Sequence, residues 1–133
     1  MFCFRNLKGA SMFNVLVADC DMDSHELVND ILEINFKNVK IDRALCYDSF
    51  LNKLQNPGQQ YDLILLNPET GKDTGNDTLA TLQNSFPELL DRVILLADTQ
   101  LDSSVVQSLP VIYKPFSLDN FGEKLRQVCA CLL

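Results

Sequence analysis

Four short apolar runs divide the chain, at residues 15–18, 63–66, 93–96 and 111–113. They are too short for helices, and polar residues do not alternate with the apolar ones inside them. Such runs are typical of strands that are buried on both faces of a parallel sheet. A fifth run, residues 39–45, alternates apolar and polar positions and therefore predicts an edge strand.

Helical periodicity occupies the segments between these runs. A capping-box pattern at Asp23 begins a helix that ends near residue 34, and Ser117 caps a helix that follows the last strand. Further helices are predicted at residues 49–54, 77–90 and 101–108. Strands that alternate with helices form βαβ units with helices on both faces of the sheet. The pattern thus predicts one α/β domain at residues 13–133, preceded by an N-terminal extension at residues 1–12.

The composition argues against several classes of function. The 133 residues include 18 acids against 11 Lys and Arg, for a formal charge of −7. This acidity argues against a nucleic-acid binder or a binder of anionic membranes, because both need clustered cations. No apolar run reaches the length of a membrane-spanning helix. The five cysteines form no C-x-x-C pair, so we expect a reduced, cytoplasmic chain.

Polar residues follow the predicted strands where each strand ends. Asp19, Cys20 and Asp21 follow the first strand, Asn67 follows the third, and Lys114 follows the last. In open parallel sheets, ligands bind at the carboxyl ends of the strands. The sequence therefore predicts one polar site at this edge, built from acids, an amide and a lysine.

Three stretches resemble, in their order and spacing, the receiver domain of bacterial two-component response regulators. They are residues 15–19, residues 61–67 and the tripeptide Lys114-Pro115-Phe116. The resemblance implies a flavodoxin-like fold, a single doubly wound five-stranded parallel sheet of order 2-1-3-4-5, here with a shortened fourth helix. It also implies a phosphoacceptor aspartate after the third strand, an acidic pair that holds Mg²⁺, a Ser or Thr ending the fourth strand, and a lysine.

The chain departs from that scheme at most of the positions that bind phosphate and metal. The acceptor position is Asn67, whose amide oxygen lacks the full negative charge with which a carboxylate attacks phosphorus. The acidic pocket is Asp19-Cys20-Asp21, and a thiol is a poor ligand for Mg²⁺. Leu96 occupies the hydroxyl position and donates no hydrogen bond. We therefore expect weak or absent Mg²⁺ binding, no metal site, no cofactor and no catalytic residue.

The charges of this pocket balance without a metal. Asp19, Cys20, Asn67 and Lys114 sum to zero when the thiol is neutral. We expect Lys114 to pair with Asp19 or to donate to Asn67, so that internal hydrogen bonds lock the pocket in one state. Cys20 is interpreted as a small, half-buried apolar filler, and His25 as a solvated residue in a first helical turn.

These departures predict a pseudo-receiver, a signalling module without enzymatic activity that acts by phosphorylation-independent protein–protein interaction. The partners implied by the resemblance are a histidine kinase, an effector or another regulator. The apolar C-terminus adds a homodimer as an expectation. No nucleic acid or membrane is expected as a partner. The candidate interaction face comprises Val111, Tyr113, Phe116 and Phe121.

Three other functions remain open at this level. A phosphorelay receiver could use a non-standard acceptor, for which Asp62 and Asp73 are nearby aspartates. Asp19 and Asp21 form the D-x-D pattern that opens haloacid-dehalogenase-like phosphatases, in which the first aspartate is a nucleophile and the second a general acid/base. A flavodoxin-like cofactor binder shares the architecture, but it needs a phosphate-binding loop after the first strand, where this chain has acids.

Overall fold

The computed structural model describes residues 12–97, 109–114 and 118–128. The strands are β1 (Phe13–Ala18), β2 (Val39–Ala44), β3 (Leu63–Leu66), β4 (Val93–Ala97) and β5 (Val111–Tyr113). The helices are α1 (Met22–Asn35), α2 (Tyr47–Gln55), α3 (Thr78–Ser85) and α4 (Leu118–Val128). Two 3₁₀ turns, Lys72–Thr74 and Pro87–Arg92, flank α3.

All five strands are parallel and lie in the order β2-β1-β3-β4-β5. This confirms the predicted doubly wound sheet and its order. The strand order reverses between β1 and β3, and ligands of such folds bind at that point, outside the carboxyl ends of the strands. The predicted short helix at residues 101–108 lies outside the described residues, as does the predicted extension apart from Met12.

Side chains of each strand alternate between two cores, because successive residues of a strand point to opposite faces. Val15 and Val17 of β1 pack on the face covered by α1 and α4, together with Phe121. Leu16 and Ala18 pack on the other face, which α2 and α3 cover. Every residue of β3 and β4 is buried. Burial on both faces explains why these strands are uninterrupted apolar runs in the sequence.

Two helix termini differ from their predicted positions. The helix predicted at residues 77–90 ends at Ser85, and Pro87 begins a 3₁₀ turn. Proline has no N–H and disfavours helical geometry in the residue before it, so the α-helix cannot pass through Pro87. The N-cap of α1 is Asp21 rather than Asp23, because the Asp21 carboxylate accepts the Asp23 backbone N–H.

Candidate functional site

The carboxyl ends of β1, β3 and β4 place three of the predicted residues in one row. Ala18 pairs with Leu66, and Leu66 pairs with Leu95. One residue further along each strand, the same register aligns Asp19, Asn67 and Leu96. Local hydrogen bonds keep the first two in place, since the Asn67 N–H donates to the Ala18 carbonyl at 2.8 Å.

Asp19 is the centre of a buried hydrogen-bond network. Its side chain is fully buried, and Oδ2 accepts a hydrogen bond from Nζ of Lys114 at 2.6 Å. The other carboxylate oxygen, Oδ1, accepts the Asp21 N–H at 3.0 Å and Nδ2 of Asn67 at 3.4 Å. The structure thus confirms that Lys114 pairs with Asp19, and both carboxylate oxygens are already used within the protein.

Lys114 reaches this network from the end of β5. Its backbone N–H donates to the Ala97 carbonyl at 2.7 Å, which extends the parallel pairing of β4 and β5 by one step. Its side chain is 12% exposed, so the ammonium is largely removed from water. A buried carboxylate and a nearly buried ammonium in contact form a neutral pair, which is the usual condition for charges inside a protein.

Asn67 is buried, and both ends of its amide are bonded. Nδ2 faces Asp19, whereas Oδ1 accepts the Glu69 N–H at 3.0 Å in the turn that follows β3. The side chain is 2% exposed. Asp62, one of the nearby aspartates, lies just before β3 at its amino end, where it accepts the Asn14 N–H at 2.9 Å. It is therefore at the opposite edge of the sheet from Asn67.

The two residues that follow Asp19 are exposed. Cys20 is exposed, which corrects the interpretation of a half-buried filler, because the chain leaves the sheet there. The Asp21 carboxylate binds the N–H of Asp23 and the hydroxyl of Ser24, both at 3.0 Å. The Ser24 hydroxyl is the main cause that lowers the pKa of Asp21. Asp21 therefore caps α1.

His25 belongs to the network, although its sequence position indicated a solvated residue. The side chain is 1% exposed, and Nε2 lies 2.6 Å from the Asp19 carbonyl oxygen. A carbonyl oxygen only accepts, so Nε2 carries the proton. Thr70 is also buried, and its hydroxyl donates to the Ala18 carbonyl at 3.4 Å. No sequence motif marks either residue; the first turn of α1 places His25 beside the Asp19 carbonyl, and the turn after β3 brings Thr70 to the same edge.

Burial differs among Leu96 and the residues of the candidate interaction face. Leu96 is fully buried in the core beneath α1 and α4, so no polar group projects from the hydroxyl position. Phe121 is fully buried in the same core, and its assignment to an interaction face is wrong. Val111 is half-buried against the opposite core, whereas Tyr113 is exposed. Phe116 lies outside the described residues.

Two further properties concern metals and membranes. Within residues 12–97, 109–114 and 118–128, no group of three or more His, Cys, Asp or Glu side chains could hold a metal ion. None of the helices in the described part of the chain is long and apolar enough to cross a membrane.

Comparison with known proteins shows likeness in structure rather than in sequence. No protein-family model and no curated protein matches the chain. RcsB from Salmonella enterica serovar Typhimurium, solved on promoter rprA with phosphomimetic BeF3−, has a TM-score of 0.70 at 17% identity. That match covers 86% of this chain and 66% of the RcsB chain.

Two matches span nearly the whole of the other protein. The bacteriophytochrome response regulator AtBRR has a TM-score of 0.70 at 19% identity, covering 92% of this chain and 96% of AtBRR. A response regulator receiver domain protein from Clostridium thermocellum has a TM-score of 0.66 at 15% identity, covering 88% and 94%. At such identities the likeness concerns the fold and not the chemistry of the site. The chain has the flavodoxin-like fold of response-regulator receiver domains.

Proposed function

We propose that this chain is a pseudo-receiver, a signalling domain that works through protein–protein contacts without accepting a phosphoryl group. One observation carries the proposal: the Lys114 ammonium and the Asn67 amide both bind the carboxylate of Asp19. In the receiver scheme these positions supply the lysine that grips the phosphoryl group and its acceptor. Here both positions donate to Asp19, and the ammonium and the carboxylate neutralise each other without a phosphate.

The first supporting argument is the chemistry of the acceptor position. An amide oxygen is a weak nucleophile, and the Asn67 amide is bonded to Asp19 at one end and to the Glu69 N–H at the other. The next residue is Pro68, which lacks the backbone N–H that attacks an asparagine side chain in ordinary deamidation. The amide is therefore not readily converted to an aspartate that could be phosphorylated.

The second argument is that the donor set does not fit Mg²⁺. This ion demands several hard oxygen ligands in near-octahedral order. Asp19 is the buried carboxylate of the pocket, and its two oxygens accept hydrogen bonds from Lys114, Asp21 N–H and Asn67. Cys20 replaces the second acid and is turned to solvent. A divalent cation would have to displace an ammonium 2.6 Å from the same carboxylate, so we expect weak or absent Mg²⁺ binding.

In this proposal the pocket takes no phosphate and binds no metal. We therefore assign the function of the domain to its surface, which binds another protein. The partner is a protein of a signalling pathway: a histidine kinase, an effector or another regulator. The domain carries no enzymatic activity in this proposal. The locked network holds the carboxyl edge in one conformation, which is the state that a partner would recognise.

The test is incubation with acetyl phosphate and Mg²⁺, followed by intact mass measurement. We expect the natural chain to gain no phosphoryl group, and a melting curve with added MgCl₂ to show no shift, since a ligand that does not bind does not stabilise. A variant with Cys20→Asp, Asn67→Asp and Leu96→Thr is the matched control, because it restores the acids and the hydroxyl. The control is expected to gain the adduct. One phosphoryl group on the natural chain would overturn the proposal.

A further inference from the structure

The outer side of β2 is an edge of the sheet, because β2 is the first strand in the order β2-β1-β3-β4-β5. Two hydrogen bonds show which residues of β2 face inward. The Phe13 N–H donates to the Asn38 carbonyl at 2.6 Å, and the Asp19 N–H donates to the Ala44 carbonyl at 3.0 Å. Successive residues of a strand direct their backbone groups to opposite sides, so the even-numbered residues of β2 bond to β1.

The odd-numbered residues of β2 therefore direct their N–H and C=O groups outward. They are Val39, Ile41 and Arg43, and no other strand in the described part of the chain pairs with them. Such a row of backbone groups is a template for a further strand, and charged side chains on an edge usually prevent the pairing. Here the charges alternate, since Lys40 and Asp42 lie on one face of β2 with opposite signs.

A second copy of β2 fits this edge when a two-fold axis passes through Ile41. The strands are then antiparallel, Ile41 lies opposite the partner's Ile41, and Val39 lies opposite the partner's Arg43. All outward groups meet outward groups, which gives about six backbone hydrogen bonds between the two strands. On the other face, Lys40 lies opposite the partner's Asp42, and symmetry repeats this pair.

Charge selects this register over its neighbours. An axis through Lys40 would set Lys40 opposite the partner's Lys40, and an axis through Asp42 would set two aspartates opposite each other. Like charges that lie directly opposite across two strands are destabilising, whereas opposite charges stabilise the pair. An axis between two residues would set outward backbone groups against inward ones. The axis through Ile41 is therefore the symmetric register that satisfies both the backbone and the charges.

The Asp42 carboxylate is held in place by its own domain and keeps an oxygen for the partner. Its Oδ2 accepts hydrogen bonds from the Tyr61 hydroxyl at 2.7 Å and from Nε2 of Gln59 at 2.5 Å. Its Oδ1 accepts no hydrogen bond within the described residues. Because the carboxylate is already oriented, little side-chain freedom would be lost when it binds the partner's Lys40.

The other face of β2 supplies apolar contact. Val39 and Ile41 are half-buried and pack against the core that α1 and α4 cover, so part of each side chain stays in water at the edge. In the register described, Ile41 meets the partner's Ile41, and the stem of Arg43 covers the partner's Val39. One strand on each side is a small interface, so the association is expected to be weak.

We propose that this chain forms a homodimer in which two copies of β2 pair as antiparallel strands about Ile41, so that the two sheets become one. The occupant of the edge is thus a second copy of the chain. The proposal does not depend on the proposed function, since it concerns the edge of the sheet and not the pocket at its carboxyl end.

The first experiment is sedimentation velocity of the full chain at concentrations from micromolar to millimolar. We expect a dimer to form as the concentration rises. Lys40→Glu places an acid opposite the partner's Asp42 twice, and should weaken the dimer roughly tenfold. Arg43→Glu is the matched control, because it makes the same change of charge on the same exposed edge but lies opposite Val39, and its effect should be clearly smaller. Circular dichroism should show that both variants keep the fold.

The second experiment tests the register by cross-linking. In a chain with all five cysteines replaced by serine, Ile41→Cys places one thiol opposite its own copy. The two Cα atoms are then about 5.5 Å apart, within the range of roughly 4.4–6.8 Å for disulfides. Mild oxidation should give a covalent dimer that reduction separates. Arg43→Cys is the control, since its two copies would lie about 14 Å apart, four residues along the strand.

Three results would overturn the proposal: a monomer at every concentration, equal weakening by Lys40→Glu and Arg43→Glu, or cross-linking of Arg43→Cys as fast as that of Ile41→Cys. The acetyl phosphate test has no bearing on these results, so the two proposals can fail separately.

Discussion

Replacing Lys114 by methionine is expected to destabilise the domain by about 3 kcal/mol at pH 7, because the change leaves a buried carboxylate without its counter-charge. The gross attraction follows from the Nζ–Oδ2 distance of 2.6 Å. At an effective dielectric constant of about 20 it amounts to about 6 kcal/mol. Methionine recovers the packing of the lysine stem and removes the cost of burying an ammonium, which reduces the net loss to roughly half.

Asp19 also keeps some support in this variant. The Asp21 N–H and the Asn67 amide still donate to Oδ1. Hydrogen bonds to a charged group contribute about 1.5–3 kcal/mol each, so the buried carboxylate loses part of its stabilisation but not all of it. A loss of about 3 kcal/mol is a large fraction of the 5–15 kcal/mol by which domains of this size are usually stable.

The assay is urea unfolding followed by circular dichroism, with the midpoint and slope compared between variants. The matched control is Lys72→Met. Lys72 lies 2.8 Å from Glu69, but the two side chains are 55% and 50% exposed. An exposed pair contributes little, so this variant should change the free energy of unfolding by less than about 0.5 kcal/mol.

A double variant separates the charge from the packing. Asp19→Asn combined with Lys114→Met removes both charges and should be more stable than Lys114→Met alone, since no buried charge is left unpaired. Equal losses in Lys114→Met and Lys72→Met would refute the reasoning, because they would show that the buried pair behaves like a surface pair.

Three further predictions concern the rest of the fold. Gly71→Ala should cost about 3 kcal/mol in urea unfolding, since φ is +90° and a new Cβ would lie 2.8 Å from a side-chain carbon. Gly75→Ala, at φ +78° with open space around it, should cost only about 1 kcal/mol. Burial, and then the hydrogen bond to the Asp42 carboxylate, raise the pKa of Tyr61. Because the raised pKa keeps the Tyr61 phenol protonated in the folded protein where the unfolded phenol, of pKa about 10, ionises, stability should fall as the pH rises above about 10, and an absorbance titration of the folded protein should show that Tyr61 ionises later than a free phenol. Asp21→Ala should cost about 1 kcal/mol at neutral pH through loss of the α1 cap. Its lowered pKa means that this contribution is present at neutral pH and lost as the pH falls through that pKa, which unfolding at two acidic pH values would show.

Each of these predictions has a clear contrary result. Equal losses in the free energy of unfolding in Gly71→Ala and Gly75→Ala would show that the close contact of the new Cβ at residue 71 is relieved without cost. Ionisation of Tyr61 near pH 10 in the folded protein would contradict its raised pKa. A loss in Asp21→Ala that is independent of pH would mean that the carboxylate charge does not matter to the cap.

The elements of the sheet were predictable because their signal is local. β3 and β4 are uninterrupted apolar runs, and burial on both faces requires this of any central parallel strand. The boundaries of α3 were less predictable. The helical pattern of residues 77–90 continues through Pro87, and the structure resolves the conflict by ending the α-helix at Ser85.

In the site, too, some features were predictable from the sequence and others were not. That Asp19, Asn67 and Lys114 lie together followed from the rule that parallel strands end at one edge, and the structure confirms it. The placement of His25 and Phe121 did not follow. An apolar stripe shows that a helix has a buried face, but which side chains reach the core depends on how deeply the helix is seated against the sheet.

By itself, the sequence determined which chemical groups are available: an amide at Asn67, a thiol at Cys20 and a leucine at Leu96. It also determined the strands, since hydrophobic runs and their period are properties of neighbouring residues. Only the tertiary structure decided which side chains bind one another. Lys114 and Asp19 are 95 residues apart, and they meet because crossover helices carry the chain back to the same edge of the sheet.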